Sequence, residues 1–254
     1  MAEIVYGIKV EADYGHFRKN FSTSSPLTHG VPPRTAVAGL LGAIFGLPRK
    51  GENSYQEVFS QENSDIAVLN QPREETEKQT ININLLKMKD ETERIIKLGI
   101  PPEKLEKNQV PFEMIRKPQY VIYFRSNKLE SPENVLEEEK SFYTPYLGIS
   151  ENIARYEYIG KQELEEKEGE ADIDSVIPLE NSSVQFEEGK KYAKESVSMF
   201  MNQEREVQKF SDIMYVETLK SQNNDTEEDN DYSVHQNEGQ YYQLENGHKI
   251  KFLE

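Results

Sequence analysis

A short apolar helix with glycine on one face, predicted for residues 34–47, constrains this chain more than any other feature. Pro33 stands at its start, where a helix accepts proline because the missing N–H would be unpaired anyway. Gly39, Gly42 and Gly46 recur at spacings of three and four, so they share one side of the helix. Each glycine costs roughly 0.5–1 kcal/mol relative to alanine in a helix interior. We therefore expect a sheet, a partner helix or a nucleic-acid backbone to approach that side closely, and tight packing is the preferred interpretation.

Segments rich in β-branched and aromatic residues surround this helix and predict strands. They lie at 4–10, 66–69, 119–125 and 153–160, with a second helix at about 131–140. With two further strand-like stretches, at 81–86 and 110–115, the order is typical of a ferredoxin-like (RRM-like) β-α-β-β-α-β unit. Such an α+β unit has an antiparallel sheet with both helices on one face. We predict this domain for residues 1–160.

The segment 70–120 is polar and rich in lysine and glutamate. Its two strand-like stretches predict a protruding β-hairpin, or thumb, inserted at about residues 75–118. Residues 161–254 are predicted to form an acidic, β-rich C-terminal extension that closes with a hairpin at Asn246-Gly247. Residues 221–231 are acidic and low in complexity, and are expected to be mobile.

The net charge of −16 is unevenly distributed along the chain. Residues 1–50 carry +3, residues 51–130 carry −2 and residues 131–254 carry −17. Charges more than about 8–10 Å away are screened at ordinary salt, so a strand of RNA responds to local potential. A basic N-terminal part can therefore bind phosphate although the whole chain is acidic; ordinary solubility charge is the alternative interpretation.

The composition argues against several kinds of site. The chain has no cysteine, and its four histidines do not stand at metal-ligand spacings, so we expect no metal site. The sequence GLLGAIFG at 39–46 lacks the glycine pattern of a dinucleotide site and the G-K-[ST] of a P-loop, so no cofactor is predicted. The longest nearly apolar run, 36–47, is shorter than the roughly 20 residues of a membrane span. Because the first ten residues also lack signal-peptide character, a cytoplasmic location without membrane contact is expected.

Four residues near the N-terminus are candidates for binding RNA. Phe17 and Arg18 place a ring beside a cation, and Thr23 and Ser24 supply hydroxyl groups to the loop that follows. Single-stranded RNA is commonly held by stacking on aromatic rings, with its phosphates on nearby cations. A core position is the alternative for Phe17.

Arg34 and Thr35 open the predicted helix. Free backbone N–H groups and the helix dipole favour an anion at such a position, so a phosphate contact is predicted. A structural ion pair or a simple helix cap is the alternative.

Four further candidates come from the middle of the chain. Arg116 and Lys117 form a small basic cluster that could follow an RNA backbone or simply face water. Tyr146 and Gly148 lie in a predicted loop whose glycine allows close approach of another backbone, from RNA or from a corner of the sheet.

Two motifs carry a resemblance to a known family. Residues 17–47 read FRKNFSTSSPLTHGVPPRTAVAGLLGAIFGL. This stretch resembles the N-terminal signature of the Cas-five family of CRISPR-associated proteins, in the RAMP superfamily: an aromatic and basic pair, a Thr/Ser-Ser-Pro loop, then P-P-R-T and a glycine-rich helix. The stretch TPYLGISENIA at 144–154 is similar to the family's T-P-x-L-G-x-S-E segment. The version here looks closest to the type I-B branch.

The resemblance implies a role in antiviral defence. Family members are subunits of a type I Cascade surveillance complex, where they hold the 5′ handle of the CRISPR RNA. They contact the large subunit and the backbone subunit, and they carry an RRM-like domain with a hairpin thumb. The resemblance thus implies a non-catalytic, RNA-binding function for this chain.

Two other functions remain open at this stage. One branch of the family is a metal-independent endoribonuclease that processes precursor CRISPR RNA with a tyrosine, a lysine and a histidine. Here Lys117 is followed by Pro118, and only His16 or His29 could fold back to assist, so no enzyme activity is expected. The other alternative is a protein-interaction module without RNA binding, whose acidic surface docks a basic partner.

Overall fold

A computed structural model of the protein describes residues 3–22, 25–73, 75–86, 107–180, 182–219 and 232–254. Within these ranges the chain is mostly strands with a few helices, so the predicted mixture of α and β structure is confirmed. The helices are α1 (Arg34–Phe45), α2 (Tyr55–Val58) and α3 (Pro132–Leu136). The first eight strands are β1 (Glu3–Ala12), β2 (Tyr14–Gly15), β3 (Phe17–Arg18), β4 (Thr28–His29), β5 (Ser64–Asn70), β6 (Glu77–Leu86), β7 (Lys107–Arg116) and β8 (Gln119–Ser126). The later strands are β9 (Ala154–Glu168), β10 (Ala171–Ile173), β11 (Ile177–Pro178), β12 (Ser183–Gln185), β13 (Lys190–Met201), β14 (Val207–Leu219), β15 (Val234–Glu238), β16 (Gln240–Leu244) and β17 (Lys249–Ile250).

A six-stranded sheet forms the centre, in the order β17-β16-β9-β1-β8-β5. Every neighbouring pair in it is antiparallel. Successive side chains of a strand point to opposite faces, so apolar residues on both faces of β5 and β8 give these strands two buried sides. The sheet therefore needs a cover on each face.

Helix α1 covers the first face. Val37, Leu41 and Ile44 are completely or almost completely buried and pack in one core with Ile66 and Ile122 of the sheet. Burying a side chain of this size stabilises the fold by roughly 1.5–3 kcal/mol. The helix begins at Arg34, directly after Pro33, and ends at Phe45, where Gly46 caps it with a φ of 69° in the left-handed region.

The glycine side of α1 is closely approached at two of its three positions. A Cβ atom added to Gly42 would lie 2.7 Å from Tyr55, and one added to Gly46 would lie 2.6 Å from Phe142. A Cβ atom on Gly39 would meet nothing within 4 Å. Tight packing against other parts of the protein therefore accounts for Gly42 and Gly46, which agrees with the interpretation preferred from the sequence.

A second apolar cluster fills the other face of the sheet. Strands β16 and β17 bring in Leu244 and Ile250, and Phe252 follows from the next segment, all of them buried against Val121 and Tyr123 of β8. The predicted hairpin at Asn246-Gly247 thus adds two strands to the central sheet. Strand β9 runs through residue 160, so the predicted boundary between the two parts of the chain falls inside a strand.

One short segment, residues 174–176, forms backbone hydrogen bonds to both outer strands of the sheet, β17 and β5. The N–H of Asp174 donates to the carbonyl of Lys249 in β17 (2.8 Å), and the N–H of Val176 donates to the carbonyl of Val68 in β5 (2.7 Å). Because residues two apart are separated by at most about 7 Å, β17 and β5 approach each other and the sheet is strongly curled.

Strands β6 and β7 pair along their whole length, from Glu77 opposite Arg116 to Leu86 opposite Lys107. The segment 87–106 between them lies outside the described residues, as does the stretch 221–231 that was expected to be mobile. Helix α3 is shorter than predicted because Glu139, with a φ of 50°, has left the helical region. Among the described residues, no helix combines the length and apolar character needed to cross a bilayer.

Candidate nucleic-acid interface

Three short segments, 14–18, 115–117 and 146–148, are brought together by backbone contacts. Tyr14 pairs with Arg116, and the N–H of His16 donates to the carbonyl of Leu147 (3.1 Å). The N–H of Lys117 donates to the carbonyl of Asp13, and this hydrogen bond holds the end of β7 beside the start of β2. This region, called here the β3–β7 surface, collects six of the predicted site residues: Phe17, Arg18, Arg116, Lys117, Tyr146 and Gly148.

Gly148 fixes the close approach within the β3–β7 surface. Its φ is 88°, and a Cβ atom built on it would lie 1.7 Å from the carbonyl oxygen of His16. No side-chain rotation can relieve this contact. The carbonyl oxygen is part of the backbone, and the position of a Cβ atom is fixed by the backbone. Packing at the corner of the sheet therefore explains this glycine, which was the alternative to approach by RNA.

We expect Gly148→Ala to lower the melting temperature clearly. A non-glycine residue in a disfavoured backbone region costs on the order of 1–3 kcal/mol, and the contact with His16 adds to that cost. Gly189→Ala is the matched control, since Gly189 has a φ of 94° but open space around its Cβ position. Equal losses in thermal unfolding for the two variants would mean that the contact with His16 contributes nothing.

The three predicted cations of the β3–β7 surface are accessible, and each already has a protein partner. The Nη2 of Arg18 donates to the carbonyl of Ser22 (3.0 Å). The Nη1 of Arg116 lies 3.7 Å from Glu77, and Lys117 forms an ion pair with Glu75. The hydrogen bond from Lys117 holds the pKa of the Glu75 carboxyl below its usual value. Because exposed ion pairs are weak, a phosphate could replace these carboxylates.

The two rings of the β3–β7 surface differ in exposure. Tyr146 keeps 44% of its surface exposed and is available for stacking. Phe17 is only 3% exposed and packs edge-on against Tyr120, with 6.1 Å between ring centroids. Phe17 is therefore a core residue in this structure. Its ring is not accessible for the predicted stacking on RNA, and the alternative of a core position applies. Thr23 and Ser24 lie outside the described residues.

Arg34 and Thr35 do not belong to the β3–β7 surface. The guanidinium of Arg34 is 1% exposed and donates to the carbonyls of Phe59 (2.6 Å) and Ser64 (2.9 Å) and to the Ser64 hydroxyl (2.8 Å). The hydroxyl of Thr35 lies 2.6 Å from that of Ser198. The predicted phosphate contact of these two residues is thus replaced by structural roles, because their polar groups face protein partners.

The sheet separates Arg34 from the β3–β7 surface. Ser64, which binds Arg34, opens β5, whereas Asn70 at the far end of β5 pairs with Tyr120 near Lys117. A strand of this length spans roughly 20 Å. The structure therefore places these two groups of predicted RNA-binding residues at opposite ends of the neighbouring strands β5 and β8.

Both N-terminal histidines are buried. His16 is 1% exposed, with its Nδ1 2.7 Å from the carbonyl of Glu113, and burial lowers its pKa. His29 is 4% exposed and lies 3.3 Å from the Glu195 carboxylate. Neither imidazole reaches the surface in this conformation.

Glu195 is a buried, hydrogen-bonded carboxylate that the sequence did not single out. It is 8% exposed and accepts from Lys19 (2.7 Å), from the N–H of Gly30 (3.0 Å) and from Tyr215 (3.3 Å). Burial alone would raise its pKa, but the contacts from His29, Lys19 and Gly30 outweigh this and hold the pKa at about 2. Strand β13 is thereby tied to the loop that follows β3. With so many acidic residues in the second half of the chain, no pattern distinguishes this one.

A second missed group contains Asp172, Glu187 and His235, whose possible ligand atoms lie within 4.8 Å of one another. The Nδ1 of His235 lies 2.7 Å from Asp172, and Glu187 pairs with Lys190 at 2.9 Å. Ion pairing thus accounts for the group as it stands. The sequence did not predict it because its members are far apart along the chain.

No protein-family model and no curated protein matches this chain. Among solved structures, it is similar to a CRISPR protein from Archaeoglobus fulgidus, with 15% identity, a TM-score of 0.52 and 98% of each chain covered. It is also similar to a chain of a CRISPR RNA-guided surveillance complex, with 12% identity, a TM-score of 0.44 and 82% of this chain and 88% of that chain covered. A chain of a type III-B Cmr-beta complex bound to cognate target RNA gives 11% identity, a TM-score of 0.43, and 92% and 86% covered. The first likeness shows a shared fold, and the other two are too low in TM-score to carry an argument.

Proposed function

We propose that this chain is a non-catalytic subunit of a type I CRISPR Cascade complex, of the type I-B kind, acting in the cytoplasm in antiviral defence. It binds the 5′ handle of CRISPR RNA and joins the backbone subunit and the large subunit. The likeness to the archaeal CRISPR protein over 98% of both chains is the observation that carries the proposal. The PPRT motif at 32–35 and the TPYLG motif at 144–148 add support from the sequence.

Two features of the fold are consistent with this role. The strand order β9-β1-β8-β5, with α1 and α3 in the two connections, supports the proposed ferredoxin-like unit. The paired strands β6 and β7 begin next to the β3–β7 surface and are the base of the proposed thumb.

The β3–β7 surface is the proposed contact with the handle. Positive charge comes from Arg18, which is exposed, and from Arg116 and Lys117, which are half-buried, and Tyr146 supplies an exposed ring. Cations for phosphates together with a ring for stacking suit a single-stranded RNA end.

Co-purification tests the proposal most directly. The chain, expressed with the proteins encoded beside it, should elute with an excess of absorbance at 260 nm and with RNA that sequencing identifies as CRISPR RNA. An assembly that forms without nucleic acid would favour the protein-interaction module instead.

We predict that the double variant Arg116→Gln/Lys117→Gln binds handle RNA roughly tenfold more weakly without a change in melting temperature. Each lost phosphate contact should flatten the log–log salt dependence of binding by roughly 0.7. Lys161→Gln is the control, since Lys161 is exposed, pairs with Glu133 and lies opposite Tyr6 in β1, six residues along that strand from Ala12. Equal affinity and equal salt slope for the double variant and this control would exclude the β3–β7 surface.

The absence of catalysis is part of the proposal. General acid–base assistance needs an accessible group that titrates near neutrality, and the two histidines that could assist, His16 and His29, are buried. Incubation of the purified complex with precursor RNA in EDTA should leave the RNA intact. Specific cuts that disappear in a His16→Ala or His29→Ala variant would support the ribonuclease alternative.

A further inference from the structure

Large apolar side chains are concentrated at the surface of the segment 142–153. Phe142, Tyr143 and Ile153 are each between 60% and 73% exposed, and these three residues form what is called here the Phe142 patch. With Tyr146 of the β3–β7 surface, they make up four of the nine large apolar side chains that are exposed among the described residues. Single exposed apolar residues are normal, whereas a concentration of them marks a contact with another molecule.

The backbone holds the Phe142 patch in a fixed position. The N–H of Phe142 donates to the carbonyl of Ile44 near the end of α1 (3.2 Å). Tyr146 forms a β-bridge with Ile153, which brings the two halves of the segment side by side. Because these groups are already ordered, a molecule that binds here loses little affinity to the ordering of the loop.

The charge around the Phe142 patch is negative. Between residues 137 and 157, five exposed glutamates stand against the exposed Lys140 and Arg155, which leaves three negative charges in excess. The glutamates lie on both sides of the apolar side chains along the chain: Glu137, Glu138, Glu139, Glu151 and Glu157. An apolar surface with such a border attracts a positively charged molecule and repels a negatively charged one.

This charge distinguishes three kinds of occupant. An RNA strand would bring phosphates close to the glutamates, and the aliphatic side chain of Ile153 offers no ring for a base to stack on. A second copy of the chain, with its net charge of −16, would bring the same glutamates face to face. A protein surface that combines apolar residues with lysine or arginine meets both the apolar and the acidic part of the region.

We propose that the Phe142 patch docks a protein partner whose contact face has an apolar centre bordered by lysine or arginine side chains. Protein interfaces commonly have such an apolar, aromatic-rich centre and a polar rim. The proposal rests on the proposed function, since a subunit of an RNA–protein assembly contacts a neighbouring protein, and it adds the chemistry of that contact. Because Tyr146 borders the patch, the docked protein lies next to the RNA held by the β3–β7 surface.

The double variant Tyr143→Ser/Ile153→Thr tests the apolar centre. Both positions are exposed, so the melting temperature should not change, and Phe142 is kept because its ring covers Gly46. The full chain is co-expressed with the proteins encoded beside it, and a protein that the wild type retains is purified as the probe. Its affinity for the double variant should fall roughly tenfold or more. Phe186→Ser, at an exposed ring just after β12, is the matched control and should leave the affinity unchanged.

The double variant Glu138→Lys/Glu151→Lys tests the acidic border, and it keeps the proposal testable if the apolar variant does not fold. It should weaken binding of the same probe roughly threefold to tenfold, and the difference should shrink as salt is added, because ions screen exposed charges. Glu165→Lys, at an exposed position of β9, is the control and should have no such effect. Tighter binding of the probe to the double variant would show that the partner is acidic and would overturn the proposal.

The remaining outcomes separate the docking surface from the proposed function. If both double variants bind the probe as tightly as the wild type, the docking surface is overturned and the proposed function stands. If the apolar variant keeps the probe but loses handle RNA, the patch contacts RNA and the proposal of a protein partner fails. If the wild type retains RNA but no protein, the docking surface alone is overturned, whereas recovery of neither overturns the proposed function as well.

Discussion

Replacing Arg34 with methionine should lower the free energy of unfolding by about 2–5 kcal/mol, because each buried acceptor left without its donor costs about 1–3 kcal/mol. The variant leaves the carbonyls of Phe59 and Ser64 without their donor in the interior of the protein. Burial lowers the pKa of the guanidinium to about 10, so the group is still charged at neutral pH. Urea denaturation at pH 7 measures the loss.

Two further variants sharpen this test. Arg34→Lys should recover little of the stability, because an ammonium group cannot reproduce the planar fork that reaches several oxygens. Arg155→Met, at an exposed position of β9, should change stability by about 0.5 kcal/mol or less. If the Arg34→Met variant kept the stability of the wild type but no longer bound RNA, the phosphate contact predicted from the sequence would be supported instead.

Glu195→Gln should cost about 3 kcal/mol at pH 7, and the cost should disappear in acid. The pKa of Glu195 is held at about 2, below its usual value of 4.5. A carboxyl whose pKa is lowered by folding contributes stability that is complete above the unfolded pKa and is lost as the pH falls through the folded one. The difference in free energy of unfolding between the wild type and the variant should therefore shrink to zero between about pH 4.5 and pH 2.

Urea denaturation at pH 7, 4.5 and 3 follows this difference. Glu165→Gln is the matched control, because Glu165 is exposed and forms an ion pair with Lys167 at the surface. A constant gap between the wild type and Glu195→Gln at all three pH values would show that the charge of Glu195 does not stabilise the fold.

The central strands were predictable because their pattern is local. The apolar residues of β5 and β8 and the helix-period residues Val37, Leu41 and Ile44 identify elements whose burial follows from their own sequence. The turn at Asn246-Gly247 was also readable, since glycine adopts the positive φ that the turn needs.

The roles of individual polar residues were less predictable, because they depend on distant partners. Arg34 follows a proline at a helix start whether it binds a phosphate or, as here, the carbonyls of Phe59 and Ser64. Glu195 meets Lys19 only after β13 has packed beside the N-terminal loop. Such contacts leave no periodic signal in the sequence, and this is why the predicted binding residues divided into two separate groups.

The segment 174–176 has a consequence for how this molecule meets others. Backbone groups of Lys249 and Val68, one on each outer strand, are already engaged by Asp174 and Val176. A visiting peptide that tried to extend the sheet would find these groups occupied, and so would a second copy of the chain. At these positions another chain could meet the central sheet only through side chains and loops, so backbone pairing, the usual hazard of an open sheet edge, is opposed on both outer strands.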